Sequence, residues 1–328
     1  MYTGLHFICS DGSPISAAAA AGAGGSVGQT VRPPARLLKD PEDVRVSGLR
    51  PLVPLVGVPW DWSTAGRPGA RFAPAAIRQE LASLSPLSED LGVLEVGFDD
   101  LGDVDVVGGD AAETGRRAYG AARAAMELAR SRGAPAAFLG GDHSITGWTA
   151  RPFAESGAAL VVLDAHYDLR RVSEGVTSGS WLRELAESVG GLTAVVVGVS
   201  DYANPPYAPS RARGLGVVAV PRSRLLRDPA GALAEVSELV RGREVYLSID
   251  MDHLAQAFAP GVNSPSPLGM SPSESLAVID AVASSAKIVA VDVVEVVPHL
   301  DPTGSTARLA AALLLRAVHA ALARPKAP

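Results

Sequence analysis

Short runs of Val, Leu and Ile alternate, from Leu52 onward, with longer Ala-rich stretches that carry spaced charges. Near-continuous apolar runs are typical of strands that are covered on both faces of a sheet. The predicted strands are residues 52–57, 136–140, 159–163, 194–199, 217–220, 244–249 and 288–293. The stretches between them predict helices at residues 74–84, 110–132, 145–155, 181–189, 229–241, 272–285 and 306–323.

This alternation predicts the fold class. One helix start carries a capping signal, Ser271-Pro272-Ser273-Glu274, with Pro at the first helical position. Because no Pro/Gly linker divides the β–α units, we expect one α/β domain with three layers (α/β/α) and a mostly parallel sheet of about eight strands. That domain is predicted to span residues 49–328. Residues 1–48 contain an Ala/Gly/Ser tract and are predicted to be a disordered extension.

Composition and charge exclude several classes of function. The 328 residues carry 29 basic and 35 acidic side chains, net −6, which gives no basic footprint for nucleic-acid binding. The single Cys9 cannot form an internal disulfide. No apolar run approaches the roughly 20 residues of a membrane span, and no Gly-rich phosphate-binding motif follows a predicted strand. We expect a cytoplasmic enzyme with a small-molecule substrate and no nucleic-acid or membrane partner.

Carboxylates and histidines follow three of the predicted strands. The first group is Asp164-Ala165-His166-Tyr167-Asp168, where alternation along an extended segment would put the three polar side chains on one face. The second is Asp250-Met251-Asp252, and the third is Gly140-Gly141-Asp142-His143-Ser144. Ligands bind outside the carboxyl ends of the strands in parallel sheets. The candidate metal ligands are therefore His143, Asp164, His166, Asp168, Asp250 and Asp252.

The charge of this set predicts bound cations. A lone Asp pair at a strand end is often only a helix cap, but converging carboxylates without cations would repel one another and raise one another's pKa. The nearest cationic side chains along the chain are Arg170 and Arg171. Two His and four Asp with no Cys favour Mn²⁺ over a structural Zn²⁺. A pair of such ions activates water, so the sequence favours metal-assisted hydrolysis.

These motifs resemble those of the ureohydrolase family of arginases, agmatinases and formimidoylglutamases. The resemblance spans about residues 56–311 and implies an arginase-like fold, two Mn²⁺ per chain and a homo-oligomer, a trimer or a hexamer. It implies that Asp164 and Asp250 bridge the two ions. The first ion would be held by His143, Asp164, Asp168 and Asp250, and the second by Asp164, His166, Asp250 and Asp252.

The resemblance also implies two catalytic residues, Asp168 and Glu295. Asp168 would orient the activated water in addition to binding metal. Glu295, within the segment 292–298, matches the acidic residue that binds the planar cationic C–N group of the substrate. A carboxylate suits this role because it accepts two parallel N–H donors from an amidinium.

One departure from the family pattern bears on the substrate. Arginases and agmatinases carry a His-Gly pair where this chain reads Thr177-Ser178-Gly179-Ser180, and a hydroxyl cannot shuttle protons near neutral pH as imidazole does. This segment resembles formimidoylglutamases, as do residues 164–170, 202–204 and 257–262. The implied reaction is hydrolysis of N-formimidoyl-L-glutamate to L-glutamate and formamide, a step of histidine degradation.

Two alternatives remain open at this point. One is an agmatinase or guanidino-acid amidinohydrolase that releases urea, and the other is a catalytically silent metal-binding relative. The candidates for binding the substrate's carboxylates are Arg170 first, followed by Arg67, Ser178 and Asn204.

Overall fold

The computed structural model describes residues 52–94, 97–172 and 175–323. The predicted extension at residues 1–48 lies outside the described residues, so its disorder stays a prediction. The strands are β1 (Leu52–Val58), β2 (Leu87–Ser88), β3 (Gly92–Val93), β4 (Gly97–Asp103), β5 (Ala136–Gly140), β6 (Ala159–Leu163), β7 (Ala194–Val199), β8 (Val217–Pro221), β9 (Glu244–Asp250) and β10 (Lys287–Val294).

In the described ranges, ten α-helices alternate with these strands. They are α1 (Ala73–Leu81), α2 (Ala111–Arg132), α3 (Thr146–Thr149), α4 (Arg151–Glu155), α5 (Trp181–Ser188), α6 (Ala208–Gly214), α7 (Arg222–Arg227), α8 (Pro229–Val240), α9 (Pro272–Ser285) and α10 (Ser305–Leu322). Short 3₁₀ turns lie at Ala70–Phe72, His143–Ile145, Met251–His253 and Pro298–Leu300.

Eight strands of the described part of the chain form one sheet in the order β4-β1-β5-β10-β9-β6-β7-β8, and β2 and β3 form a small separate hairpin. Every pair in the large sheet is parallel. Successive side chains of β5 enter different cores: Ala137 and Leu139 pack with α1, α8, α9 and α10, whereas Ala136 and Phe138 pack with α2, α4, α5 and α6. Helices therefore cover both faces, which confirms the predicted three-layer α/β/α architecture.

The predicted elements are largely in place, and the differences have physical reasons. The sequence does not predict strand β4, because its residues, GFDDLGD, are acidic rather than apolar. β4 is an edge strand, where charged side chains block pairing with another chain. The single helix predicted at residues 145–155 is wrong. The chain forms a 3₁₀ turn and the short helices α3 and α4 instead, and Pro152, which lacks a backbone N–H, stands in the first turn of α4.

Helix α9 begins with the capping box that the sequence predicts. Ser271 Oγ accepts a hydrogen bond from the backbone N–H of Glu274 at 3.3 Å, and the Glu274 carboxylate accepts one from the backbone N–H of Ser271 at 2.7 Å. Two of the otherwise unpaired N–H groups at the helix start are thereby satisfied.

Helix α10 is long and apolar enough to cross a membrane, but half of it is buried inside the domain. Ala310, Leu314 and Ala317 are fully buried in the core that also contains α1 and α9. Arg316 forms ion pairs with Asp90 and Asp280 at 2.7 Å each. We therefore assign α10 to the core of the domain.

A close backbone approach joins the ends of β1 and β5 beneath the candidate site. The Gly141 N–H donates to Val58 O at 3.1 Å, and the Asp142 N–H donates to Trp60 O at 2.7 Å. A Cβ at Gly141 would lie 1.7 Å from Trp60 O. Only glycine fits there, so the glycine pair before His143 lets the two strand ends pack together.

We expect Gly141→Ala to lower the free energy of unfolding by about 3 kcal/mol or more, the upper end of overpacking costs, because backbone must move. The matched control is Gly120→Ala in α2, where a Cβ meets nothing within 4 Å. This substitution should stabilise the helix by about 0.5–1 kcal/mol. Urea denaturation measures both. A wild-type midpoint for Gly141→Ala would contradict the close approach.

Candidate active site

The candidate site lies at the carboxyl edge of four neighbouring strands in the middle of the sheet, β5, β10, β9 and β6. His143 follows β5 in a 3₁₀ turn, and the segment from Asp164 to Asp168 follows β6. Asp250 ends β9, and Asp252 lies in the 3₁₀ turn after it. Glu295 directly follows β10. Parallel strands thus bring together residues that are far apart in the sequence.

Two histidines and four aspartates converge there. Asp164 Oδ2 lies 3.2 Å from His143 Nδ1, and Asp164 Oδ1 lies 3.3 Å from His166 Nδ1. His143 Nδ1 is also 3.0 Å from Asp168 Oδ2 and 2.9 Å from Asp250 Oδ2. On the other side, His166 Nδ1 is 3.1 Å from Asp252 Oδ2. The structure therefore has two adjacent groups of ligand atoms that share the Asp164 carboxylate.

Turns, rather than strand alternation, place these ligands. The expectation that Asp164, His166 and Asp168 share a face of an extended segment is wrong, because β6 ends at Leu163 and Asp168 has a φ of 51°. Asp164 Oδ1 accepts a hydrogen bond from the backbone N–H of His166 at 2.6 Å. Asp250 Oδ1 accepts one from the N–H of Asp252 at 2.8 Å. The same local turn, closed by an aspartate side chain, thus orients both pairs.

Backbone strain is concentrated at two of the functional positions. Asp168 and Glu295 have φ angles of 51° and 66°, in the left-handed region. For residues other than glycine this conformation costs about 1–2 kcal/mol. Trp181 Nε1 donates to Asp168 Oδ2 at 2.7 Å and holds that side chain in place. The surrounding structure therefore maintains a strained backbone at the site.

The ligand atoms fit a bound cation. His143 Nδ1, Asp164 Oδ2 and Asp252 Oδ1 are buried and have no hydrogen-bond partner. In the described part of the chain, no Lys or Arg forms an ion pair with any of the four aspartates; only the two histidines do. Buried acceptors that face other acceptors are costly unless a cation lies between them. His143, Asp164 and Asp168 form one group able to hold a metal ion, and Asp164, His166 and Asp252 form another.

The pKa shifts express the same demand for positive charge. Burial lowers the pKa of His143, but Asp250, Asp164 and Asp168 raise it by more, so the pKa is well above its ordinary value. His166 behaves alike: burial opposes its charge, and Asp252 and Asp164 raise its pKa. Burial, followed by the charge of Asp164, raises the pKa of Asp168 to about 6. The aspartates therefore favour positive charge, as protons or as cations, at both imidazoles.

Glu295 is oriented by the same turn that presents His143. Its Oε1 accepts a hydrogen bond from the His143 backbone N–H at 2.7 Å, while its Oε2 is buried without a partner. Burial, followed by the nearby Asp142, raises the pKa of Glu295 well above its ordinary value. One oxygen of this carboxylate is therefore available, and a cationic ligand beside it would stabilise the ionised form.

One open cavity of about 90 Å³ is lined by His143, His166, Asp168, Asp250, Asp252 and Glu295. Arg170 and Ser178 also line it, and among the described residues Arg170 is the only Lys or Arg side chain that does so. The cavity continues outward past His166 and Arg170 into a second one, lined by Asp201, Tyr202 and the segment 264–268. The outer cavity leaves room for the rest of a substrate whose reacting group sits against the aspartates.

Two of the predicted substrate ligands have other partners and do not line this inner cavity. The Arg67 guanidinium donates to the backbone carbonyls of Asn263 at 3.0 Å and Val262 at 2.6 Å, so it joins two loops. Asn204 Oδ1 accepts from the Tyr167 N–H at 3.0 Å, and its Nδ2 donates to Ala165 O at 2.9 Å. Both side chains brace loops around the site, because their polar atoms are already engaged.

Sequence reasoning missed three residues that support the site: Trp181, Ser248 and Asp292. Ser248 is two residues before Asp250 on β9, so the period of two along a strand could have placed it on the same face. Asp292 stands out as a charged residue inside the apolar run of β10. Nothing in the local sequence signals that the Trp181 indole reaches Asp168.

Comparison with known proteins identifies relatives of this site and fold. A model of the arginase family matches residues 52–320. The chain is 36% identical over 290 residues to a formimidoylglutamase from Halobacterium salinarum, covering 83% of this chain and 92% of the relative. It is 32% identical over 272 residues to the human mitochondrial guanidino acid hydrolase, covering 79% and 75%. The crystal structure of formimidoylglutamase from Bacillus subtilis superposes with a TM-score of 0.75 at 27% identity, covering 88% and 95%.

We expect the metal-free protein to lose thermal stability as the pH rises from 6.5 to 8.5. The folded-state pKa values of His143 and His166 lie above 6.5, so above that pH the folded protein binds more protons than the unfolded chain, and its stability falls. Saturating Mn²⁺ should remove this slope, because the ions replace the protons, and should stabilise by about 2.7 kcal/mol at 100 times the dissociation constant. Scanning calorimetry after chelation measures both effects. A melting temperature that is level or rising with pH in the metal-free protein would contradict this account.

Proposed function

Because the chain belongs to the arginase family and is a hydrolase acting on amidino substrates, we propose that it is a binuclear manganese enzyme that hydrolyses N-formimidoyl-L-glutamate to L-glutamate and formamide. The reaction would serve histidine degradation in the cytoplasm, carried out by a homo-oligomer. The observation that carries the proposal is the convergence of all six predicted ligands beside the unpaired oxygen of Glu295.

The donor set suits two Mn²⁺ ions. His143, Asp168 and Asp250 would hold one, His166 and Asp252 the other, and the shared carboxylate of Asp164 would contact both. Asp250 would also reach the second ion. Carboxylate and imidazole ligands without thiolate suit Mn²⁺. When bound, such ions act as Lewis acids and make a nucleophile available near neutral pH.

The side chains around the ions would bind the substrate and move the proton. Glu295 Oε2 is free to accept an N–H from the cationic formimidoyl group, while the His143 N–H holds Oε1. The attacked carbon would then lie against the aspartates. Asp168 lines the same cavity, so its carboxylate would orient the nucleophile, take its proton and return that proton to the leaving nitrogen.

Arg170 and Ser178 are our candidates for the carboxylates of the substrate, because both line the cavity. His143 and His166 are the histidines that line it in the described part of the chain. Both lie against the aspartates, so neither is free to pass protons to a guanidine. Thr177 and Ser180 hydrogen-bond each other in a turn at the position where arginases and agmatinases carry histidine. This supports a formimidoyl substrate over a guanidine.

The competing candidate is a guanidino-acid hydrolase that releases urea. One observation favours it. Formimidoylglutamate carries two carboxylates, whereas the cavity has one cationic side chain of the Lys or Arg type among its described lining residues, Arg170. A guanidino acid with one carboxylate would match that single cation. The third candidate, a silent relative, is disfavoured because all six ligand residues are present and converge.

A substrate panel on Mn²⁺-loaded protein separates these candidates. We expect formamide from N-formimidoyl-L-glutamate. For urea release from agmatine, guanidinopropionate and guanidinobutyrate we expect a kcat/KM at least about 100-fold lower. Urea from a guanidine with no formamide would contradict the substrate assignment, and no product from any compound would favour the silent relative.

The variant that tests the role of Glu295 is Glu295→Gln, which keeps the acceptor for the His143 N–H. A hydrogen bond to a charged group contributes about 1.5–3 kcal/mol, so kcat/KM should fall about 10- to 150-fold with Mn²⁺ binding retained. Glu184→Gln, on α5 and paired with Arg151, should leave kcat/KM unchanged.

A further inference from the structure

A connected set of buried polar side chains lies behind His143, on the side away from the carboxylates. Ser248 on β9, Asp292 on β10 and Thr146 and Tyr246 beside them are all fully buried. Asp292 Oδ1 accepts from Ser248 Oγ at 2.6 Å, and its Oδ2 accepts from Thr146 Oγ1 at 2.7 Å and Tyr246 OH at 2.8 Å. His143 Nε2 lies 3.0 Å from Ser248 Oγ.

The number of protons in this hydrogen-bond network determines the tautomer of His143. A serine hydroxyl has one proton, and an ionised carboxylate only accepts. Ser248 therefore donates to Asp292 and must accept from His143, so Nε2 carries a proton. In the neutral imidazole the lone pair is then on Nδ1, the atom that faces Asp164, Asp168 and Asp250.

The surroundings of Asp292 are unusual for a carboxylate. It is a carboxylate in the middle of an apolar strand. None of the ion pairs within residues 52–94, 97–172 and 175–323 involves it, and three hydroxyl groups are its partners. A buried charge without a cation destabilises the folded state. A functional role would explain why a carboxylate is kept at this unfavourable position.

We propose that Asp292 is a positioning residue that acts through Ser248: it holds His143 as the Nε2–H tautomer and so keeps Nδ1 available as a metal ligand. The proposal rests on the binuclear site of the proposed function. Residues that orient a metal-binding histidine in this way typically contribute about 10- to 100-fold to metal affinity.

The proposed effect is specific to one of the two ions. His166 contacts Asp164 and Asp252 on the far side of the cluster, and its ring has no hydrogen bond to Ser248 or Asp292 among the described residues. Disturbing the network should therefore weaken the ion on the His143 side and leave the other ion nearly unaffected.

Two variants break the path to His143 and one matched control does not. Ser248→Ala removes the acceptor of the Nε2 proton. Asp292→Asn keeps the shape, but its amide can donate to Ser248, which then donates to His143 and favours the other tautomer. Tyr246→Phe is the control: it also removes one hydrogen bond from Asp292, but at Oδ2, leaving the Oδ1–Ser248–His143 path intact.

The experiment starts from the full-length chain after metal has been removed by chelation. The chain is titrated with Mn²⁺, and electron paramagnetic resonance measures the free Mn²⁺. For the wild type we expect two ions per chain. For Ser248→Ala and Asp292→Asn we expect one ion at wild-type affinity and the other weakened about 10- to 100-fold. For Tyr246→Phe we expect two ions within about twofold of wild-type affinity, even if the melting temperature falls, because a lost buried hydrogen bond acts on folding alone.

The remaining outcomes overturn the proposal and identify what failed. Wild-type affinities at both ions in Asp292→Asn and Ser248→Ala contradict the positioning role and leave the proposed function standing. Equal weakening in Tyr246→Phe also contradicts it, because the network would then act through packing. A wild-type chain that binds no Mn²⁺ removes the metal site, and both proposals fail. Should Ser248→Ala not fold, the nearly isosteric Asp292→Asn decides alone.

Discussion

The structure at the carboxyl edge of the sheet depends on compensating the charge of four buried aspartates. Asp164, Asp168, Asp250 and Asp252 face two imidazole nitrogens at 2.9–3.3 Å, and no arginine or lysine pairs with them in the described residues. Repulsion of this kind opposes folding unless cations are present. A pair of divalent ions would therefore contribute both to the stability of this edge and to the chemistry.

The fold supplies the rigidity that such a site needs. The ligands come from the ends of four neighbouring parallel strands, and a glycine at position 141 allows the chain before His143 to pass against the backbone of Trp60. Left-handed φ angles at Asp168 and Glu295 aim the two carboxylates at the cavity. The edge that holds charge is also the edge that holds strain, as is common at functional sites. Behind it, Ser248 and Asp292 anchor one imidazole from within the sheet.

The fold was predictable because hydrophobic runs mark strands that are buried on both faces; the strand 136–140 and the helix 272–285 have the predicted bounds. Edge strand β4 was not, since acidic positions hide it. Residue type and position after strands predict that the six candidate ligands converge, and they do, but strand alternation is the wrong reason for it. Turn geometry decides it, as the φ of Asp168 shows. The sequence predicts Arg67 and Asn204 as substrate ligands, but their side chains hydrogen-bond to surrounding loops instead. Tertiary hydrogen bonds decide which polar atoms stay free, and local sequence does not encode them.

Anomalous diffraction at the manganese edge from crystals grown with Mn²⁺ tests the central claim most directly. The account predicts two anomalous peaks per chain, about 3.5 Å apart, one beside His143 Nδ1 and the other beside His166 Nδ1, with the Asp164 carboxylate contacting both. A single peak, or peaks only outside the cluster of His143, His166 and the four aspartates, would contradict it.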